Sequence, residues 1–145
     1  MEITDTAPDD WLATVDRDDI RDTLIALDST IRDALPDRAR DLWQGKFWGG
    51  TDQTIIGYGH ILQPRPSGDD VAWFLVGLAR QTRNYSLYVN AADGDGYISH
   101  AYADRLGRVK LGAASIGFTN LEQVDHDGLQ DMLEAAHRST PPDSW

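Results

Sequence analysis

Residues 71–90 read VAWFLVGLARQTRNYSLYVN, and this stretch constrains the fold more than any other part of the chain. Two runs rich in β-branched and aromatic residues flank a polar break at residues 80–84, which predicts a buried β-hairpin. Successive residues of a strand point to opposite faces, and in the first run the residues of both faces are apolar. One face has Val71, Trp73 and Leu75, and the other has Phe74, Val76 and Leu78. A strand that is apolar on both faces is shielded from solvent, so we expect it near the middle of a sheet.

The segments around this hairpin predict an α+β domain. Apolar residues recur at helical spacing along residues 17–34 and again along residues 126–138, so each stretch is expected to form an amphipathic helix. The predicted strands are 41–48, 53–62, 71–80, 84–90 and 114–119, with short helices after Thr6 and at 99–106. Short connections favour a largely antiparallel five-stranded sheet, with the N-terminal and C-terminal helices packed on one face. The domain is expected to span residues 1–138, and residues 139–145 to form a loose, flexible tail.

Composition argues against several classes of function. The chain has 24 acidic and 13 basic residues, a net charge of −11, which argues against a nucleic-acid partner. Its longest apolar run is too short to span a membrane, and its first residues lack the features of a secretory signal, so we expect a cytoplasmic location. Nucleotide-binding glycine motifs, metalloprotease motifs and nucleophile motifs are absent from the sequence. We therefore predict that the protein is not an enzyme.

Acidic side chains cluster at the start of the helix predicted at 17–34. Asp18 and Asp22 lie four residues apart and share one helix face, and Asp19 lies about one residue further round. Carboxylate oxygens grouped in this way bind hard divalent cations such as Fe²⁺, Mn²⁺ or Ca²⁺ weakly. Acidic residues in a first helical turn are also favoured by the helix dipole without any metal, and Arg17 and Arg21 offset their charge. A weak metal site at Asp18, Asp19 and Asp22 and a metal-free helix start are therefore the two alternatives.

Aromatic residues recur along the predicted strands, and two helices cover only one sheet face well. The opposite face would expose aromatic side chains unless a ligand or a second subunit covered it. The candidates by strand are Tyr58 and His60, then Trp73 or Phe74, then Tyr85 or Tyr88. A shift of one residue in register would exchange the two faces, so the exposed set stays open. Our predicted ligand-binding residues are Tyr58, His60, Trp73 and Tyr85, which would line a small-molecule site or a homodimer interface.

Two glycines interrupt the strand that carries Tyr58. Gly57 and Gly59 weaken a strand unless something approaches its backbone closely. A packed helix and a bound ligand are the two explanations that the sequence leaves open.

Three segments follow one another in a recognisable order. They read GYGH at 57–60, WFLVGLARQTRNYSLYV at 73–89 and ADRLGRVKLG at 103–112, before a strand and LEQVD at 121–125. Together they resemble the YdhG-like domain of unknown function over roughly residues 8–138. Members of that family are often described as frataxin-like intracellular iron chaperones. The resemblance implies an α+β sandwich, no enzymatic chemistry and iron held by acids of an N-terminal helix; a domain that binds a small ligand or a partner on its aromatic sheet face is the alternative.

Overall fold

The computed structural model describes residues 1–47, 50–66, 68–94 and 96–145, without the side chain of Phe47. The strands of the described part are β1 (Glu2–Ile3), β2 (Arg40–Phe47), β3 (Thr51–Tyr58), β4 (Ile61–Gln63), β5 (Val71–Trp73), β6 (Val76–Arg80), β7 (Tyr85–Val89), β8 (Lys110–Leu111) and β9 (Ser115–Phe118). Its α-helices are α1 (Pro8–Ala13), α2 (Asp18–Ala34), α3 (Ile98–Ala101) and α4 (His126–Arg138), with 3₁₀ turns at Ala103–Arg105 and Leu121–Gln123.

The main sheet has seven strands in the order β1–β2–β3–β6–β7–β9–β8, and every neighbouring pair is antiparallel. The expected α+β class with an antiparallel sheet is confirmed, and the expected number of five strands is wrong. The two additional strands, β1 and β8, have two residues each and lie at the sheet edges. Two residues are too few to show a strand period in the sequence. The strand predicted at 41–48 is β2, and position 48 lies outside the described residues.

The long strands predicted at 53–62 and 71–80 are each divided, into β3 and β4 and into β5 and β6. At the first break Gly59 has φ +84°, a conformation that glycine adopts readily. The two breaks lie side by side, because β3 pairs with β6 while β4 pairs with β5 in a separate two-stranded sheet. The hairpin predicted within residues 71–90 is present as β6 and β7, which pair across residues 81–84. A second and longer hairpin, made of β3–β4 and β5–β6, is interrupted near its middle at these two breaks.

Helices α2 and α4 cover one face of the main sheet. Leu24, Leu27 and Ile31 of α2 are at most 1% exposed, as is Leu133 of α4, and all four share one core with Leu75. This is the packing that the two apolar stripes predict. None of the described helices has the length and apolar character needed to cross a membrane.

The opposite face of the main sheet, which we call the helix-free face, carries a second and smaller apolar cluster. The residues of this face form two rows that cross the strands. One row is Trp43, Ile55, Ala79, Ser86 and Gly117, and the other is Asp41, Gly57, Gly77, Tyr88 and Ser115. Small residues dominate the middle of these rows, so bulky groups from elsewhere in the chain can lie flat on the sheet.

Gly57 and Gly77 provide that space. A Cβ atom on Gly57 would lie 2.5 Å from Nε1 of Trp43, and one on Gly77 would lie 2.5 Å from Cε1 of Phe74. The groups that approach Gly57 are therefore aromatic side chains of the helix-free face. Neither of the two explanations left open by the sequence, a packed helix or a bound ligand, is needed there.

Residues 139–145, which the sequence predicts to be loose, contact the domain. The carboxylate of Asp143 accepts hydrogen bonds from the backbone N–H groups of Ala39 at 2.7 Å and His60 at 2.9 Å. The guanidinium of Arg38 donates to the same carboxylate and to two tail carbonyls. These partners lie about a hundred residues away in the sequence, so local composition does not reveal them.

Candidate functional site

The four aromatic and histidine residues predicted to share one site are distributed over three places. Tyr58 and Tyr85 lie in the helix-covered core, 2% and 4% exposed. Trp73 packs against the helix-free face, and His60 lies at the bend between β3 and β4. Tyr58 and His60 were expected to share a strand face, but the backbone of Gly59 interrupts the alternation between them.

Tyr58 belongs to a closed polar network between α2 and the sheet. Its hydroxyl donates to the carboxylate of Asp28 at 2.6 Å, and Arg40 donates to both oxygens of that carboxylate at 3.0 and 2.9 Å. Arg40 also reaches Asp9 of α1 at 2.8 Å. Burial, and then the charge of Asp28, raise the pKa of Tyr58 well above its ordinary value, so the hydroxyl stays a donor. The groups of this network provide hydrogen-bond partners for one another, and they connect α1 and α2 to the sheet.

Tyr85 also has partners within the chain. Its ring stacks on Phe118 with 5.9 Å between centroids, and the guanidinium of Arg80 lies 4.7 Å above it. Such contacts stabilise the edge of the core. At 4% exposure, Tyr85 offers almost no surface to a ligand.

His60 is enclosed by the tail. Its ring stacks on Trp145 with 3.6 Å between centroids and 1° between planes. Its Nδ1 lies 2.7 Å from the carbonyl oxygen of Trp145, and its Nε2 lies 2.5 Å from the carboxylate of Asp41. Both ring nitrogens therefore already have partners within the chain.

The predicted metal ligands lie at the exposed start of α2. Asp18 pairs with Arg21 at 2.5 Å, Asp19 pairs with Arg17 at 2.8 Å, and Asp22 is exposed. The hydrogen bond from Arg17 lowers the pKa of Asp19, as expected for an ion pair. Within the described ranges, no group of three or more His, Asp or Glu residues is placed to hold a metal ion.

A cavity of about 600 Å³ lies on the helix-free face, and we call it the sheet cavity. One wall is the β4–β5 hairpin with its turn, through residues 63–66 and 71 and Trp73. The facing walls are Tyr88 and Asn90 at the end of β7 and residues 113–115 before and at the start of β9. The cavity lies where the long hairpin leaves the main sheet, because β4 pairs only with β5 in a separate two-stranded sheet.

Hydrogen bonds and ring contacts hold the walls of the sheet cavity in place. The backbone N–H of Asn90 donates to Leu75 at 2.8 Å and its side-chain amide donates to the carbonyl of Phe74 at 2.9 Å, which fixes the bend. Trp73 stacks on Phe74 with 4.6 Å between centroids and meets Trp43 edge-on at 5.4 Å. The cavity is thus built on a rigid support of paired aromatic rings.

Polar groups line both sides of the sheet cavity, with Gln63 and Arg65 on the hairpin wall and Tyr88, Asn90 and Ser115 on the facing walls. The Tyr88 hydroxyl accepts a hydrogen bond from Gln81 at 3.2 Å, and burial raises the pKa of that hydroxyl above its ordinary value. The amide of Asn90 and the hydroxyl of Ser115 belong to the same side. An apolar space with a few converging polar groups is the usual form of a small-molecule site.

Of the four predicted ligand-binding residues, Trp73 lines the sheet cavity, whereas Asn90 and Ser115 line it without having been predicted, and Tyr88 lines it in place of Tyr85. The signal that separates the tyrosines lies in β6, where the larger Val76 and Leu78 alternate with glycine and alanine. Because Tyr88 is opposite Gly77 in the register, it shares the face of the small residues.

Comparisons of the chain with models of protein families, with curated proteins and with solved structures find no match in any of the three.

Proposed function

We propose that this protein binds a small, largely apolar molecule in the sheet cavity. The observation that carries the proposal is the cavity itself, whose volume of about 600 Å³ lies within the range of small-molecule sites. The other candidate residues are engaged by partners within the chain: Tyr58 by Asp28, and His60 by Asp41 and Trp145. Binding in the sheet cavity would require no rearrangement of the helix-covered core.

The neutral fluorescent probe N-phenyl-1-naphthylamine tests the proposal directly. Its emission rises in an apolar site, and we expect saturable binding to the wild-type protein. Ala114 lines the sheet cavity, so Ala114→Phe should fill part of the space and weaken binding tenfold or more. Ala72 is an exposed residue of β5 that does not line the cavity, so Ala72→Phe is the matched control and should change binding less than twofold.

Sedimentation of the same samples separates ligand binding from self-association. If the cavity binds a ligand, wild type and Ala114→Phe should have the same molecular mass in solution. A wild-type dimer that dissociates in Ala114→Phe would assign this face to a homodimer interface instead. Probe binding that is unaffected by Ala114→Phe would contradict the proposal, provided that the variant unfolds at the wild-type temperature.

Iron handling, the resemblance to the YdhG-like domain and the absence of enzymatic activity stay predictions. Two of the three proposed iron ligands, Asp18 and Asp19, are paired with arginines, so the geometry favours the sheet cavity over the acidic cluster. A paramagnetic titration would test the alternative, since Mn²⁺ held at that cluster should broaden the NMR signals of residues 16–22 before any others.

A further inference from the structure

The charges around the sheet cavity differ from those of the chain as a whole. Acidic residues outnumber basic ones 24 to 13 in the sequence. The described residues that line the cavity include Lys46 and Arg65 and no aspartate or glutamate. By contrast, the groove beside α2 is lined by equal numbers of aspartates and arginines, among them Asp28 and Arg40.

Lys46 and Arg65 come from separate elements, β2 and the turn after β4, and both are exposed. Among the described residues, neither takes part in an ion pair. Asp52 of β3 is the register partner of Lys46 across the two strands. The carboxylate residue itself does not line the cavity. A ligand in the cavity would therefore meet positive charge at its rim.

We infer that the ligand of the sheet cavity is an anion with an apolar or aromatic body, such as an aromatic carboxylate or sulfonate. This inference rests on the proposed function of the cavity. The apolar body would lie against Trp73 and Tyr88, and the anionic group would lie toward Lys46 and Arg65, where positive charge attracts it. The net negative charge of the chain repels anions elsewhere. An anionic ligand would therefore bind at the sheet cavity in preference to other parts of the surface.

Two probes with the same aromatic body separate the contribution of charge from that of apolar contact. They are N-phenyl-1-naphthylamine, which is neutral, and 8-anilinonaphthalene-1-sulfonate, which carries one negative charge. Each exposed charge pair contributes only a small binding free energy. The pairs that the anionic group would form with Lys46 and Arg65 should together make the anionic probe bind about tenfold tighter than the neutral one at low salt. That preference should shrink in 0.5 M NaCl, because salt screens exposed charges.

The double substitution Lys46→Gln with Arg65→Gln should reduce the preference to about twofold or less while leaving the neutral probe bound as before. The matched control is Arg108→Gln with Lys110→Gln, which removes the same charge from an exposed surface that does not line the cavity. An equal loss of preference in both double variants would show a general charge effect and overturn the inference.

The outcomes separate the inference from the proposed function. If both probes bind equally and Ala114→Phe blocks both, the cavity binds ligands and the inference about charge is wrong. If neither probe binds to the wild-type protein, the proposed function fails and the inference fails with it. An anionic preference that the Lys46 and Arg65 variant alone removes supports both.

Discussion

The two faces of the main sheet are built from different residues and leave different amounts of space. The helix-covered face carries large aliphatic side chains that interlock with α2 and α4, and its polar groups, Asp28, Arg40 and Tyr58, pair with one another. The helix-free face carries glycine, alanine and serine beneath aromatic rings, and it keeps a cavity near the end of β7. The helix-covered face is filled by these side chains except at the groove beside α2, and the helix-free face keeps room for a ligand beside the bent hairpin.

The largest effect should come from the helix-covered face. Leu27 is 1% exposed, so Leu27→Ala should lower the free energy of unfolding by about 2–5 kcal/mol through lost contacts and a cavity. Urea unfolding measures this loss. Ile25 lies on the same helix and is 47% exposed, so Ile25→Ala should cost clearly less. Similar losses for both variants would contradict this packing of α2.

The second-largest loss of stability should come from the closed polar network around Asp28. Asp28→Ala leaves the guanidinium of Arg40 and the hydroxyl of Tyr58 without their buried partner, and we expect a loss of about 3 kcal/mol. Asp33→Ala removes an exposed carboxylate from the same helix and should have little effect. A small loss for Asp28→Ala would mean that water enters this region and replaces the missing contacts.

The helix-free face should itself divide into a packed half and an open half. Gly77→Ala places a methyl group against Phe74 and Ile55, so it should destabilise the protein by about 1–3 kcal/mol. Gly117 lies in the other row of the helix-free face, and nothing approaches a Cβ there closer than 3.6 Å. Gly117→Ala should therefore be neutral or slightly stabilising in thermal unfolding. Equal losses at both positions would remove the distinction between the halves.

Alkaline pH should weaken the helix-covered face through Tyr58. Because the pKa of Tyr58 is raised in the folded state, the unfolded chain ionises first as pH rises above about 10. The stability that Tyr58 contributes is fully present below that pH and is lost as pH rises further, by up to about 1.4 kcal/mol per pH unit. Tyr58→Phe cannot ionise, so its stability should fall less steeply between pH 10 and 11.5; parallel slopes would contradict the prediction.

The smallest effect should come from the tail. Trp145→Ala removes the stacked contact with His60 and the hydrogen bond to the carbonyl of Ile61, and we expect a loss of about 1 kcal/mol. Hydrogen exchange gives the local readout, because the N–H of His60 should lose protection. Ser144→Ala keeps the backbone hydrogen bond of that residue and serves as the control. Unchanged exchange at His60 in Trp145→Ala would show that the tail stays in place without the Trp145 side chain.

Elements with a strong hydrophobic period could be predicted from the amino-acid sequence alone. The apolar stripes of α2 and α4 and the two apolar runs of the central hairpin predict an α+β domain with helices on an antiparallel sheet, and these features are present. Periodicity succeeds here because each of these segments buries one face or both, and burial requires a regular pattern of apolar side chains.

Where the long hairpin of β3–β4 and β5–β6 bends, and what the bend encloses, depend on tertiary contacts. The bend depends on Gly59 and on hydrogen bonds from Asn90, which joins residues fifteen or sixteen positions apart. It separates Tyr58 from His60, turns Trp73 toward the helix-free face and opens the sheet cavity beside Tyr88. These relations are set by register and by long-range contacts, which a pattern of neighbouring residues does not encode.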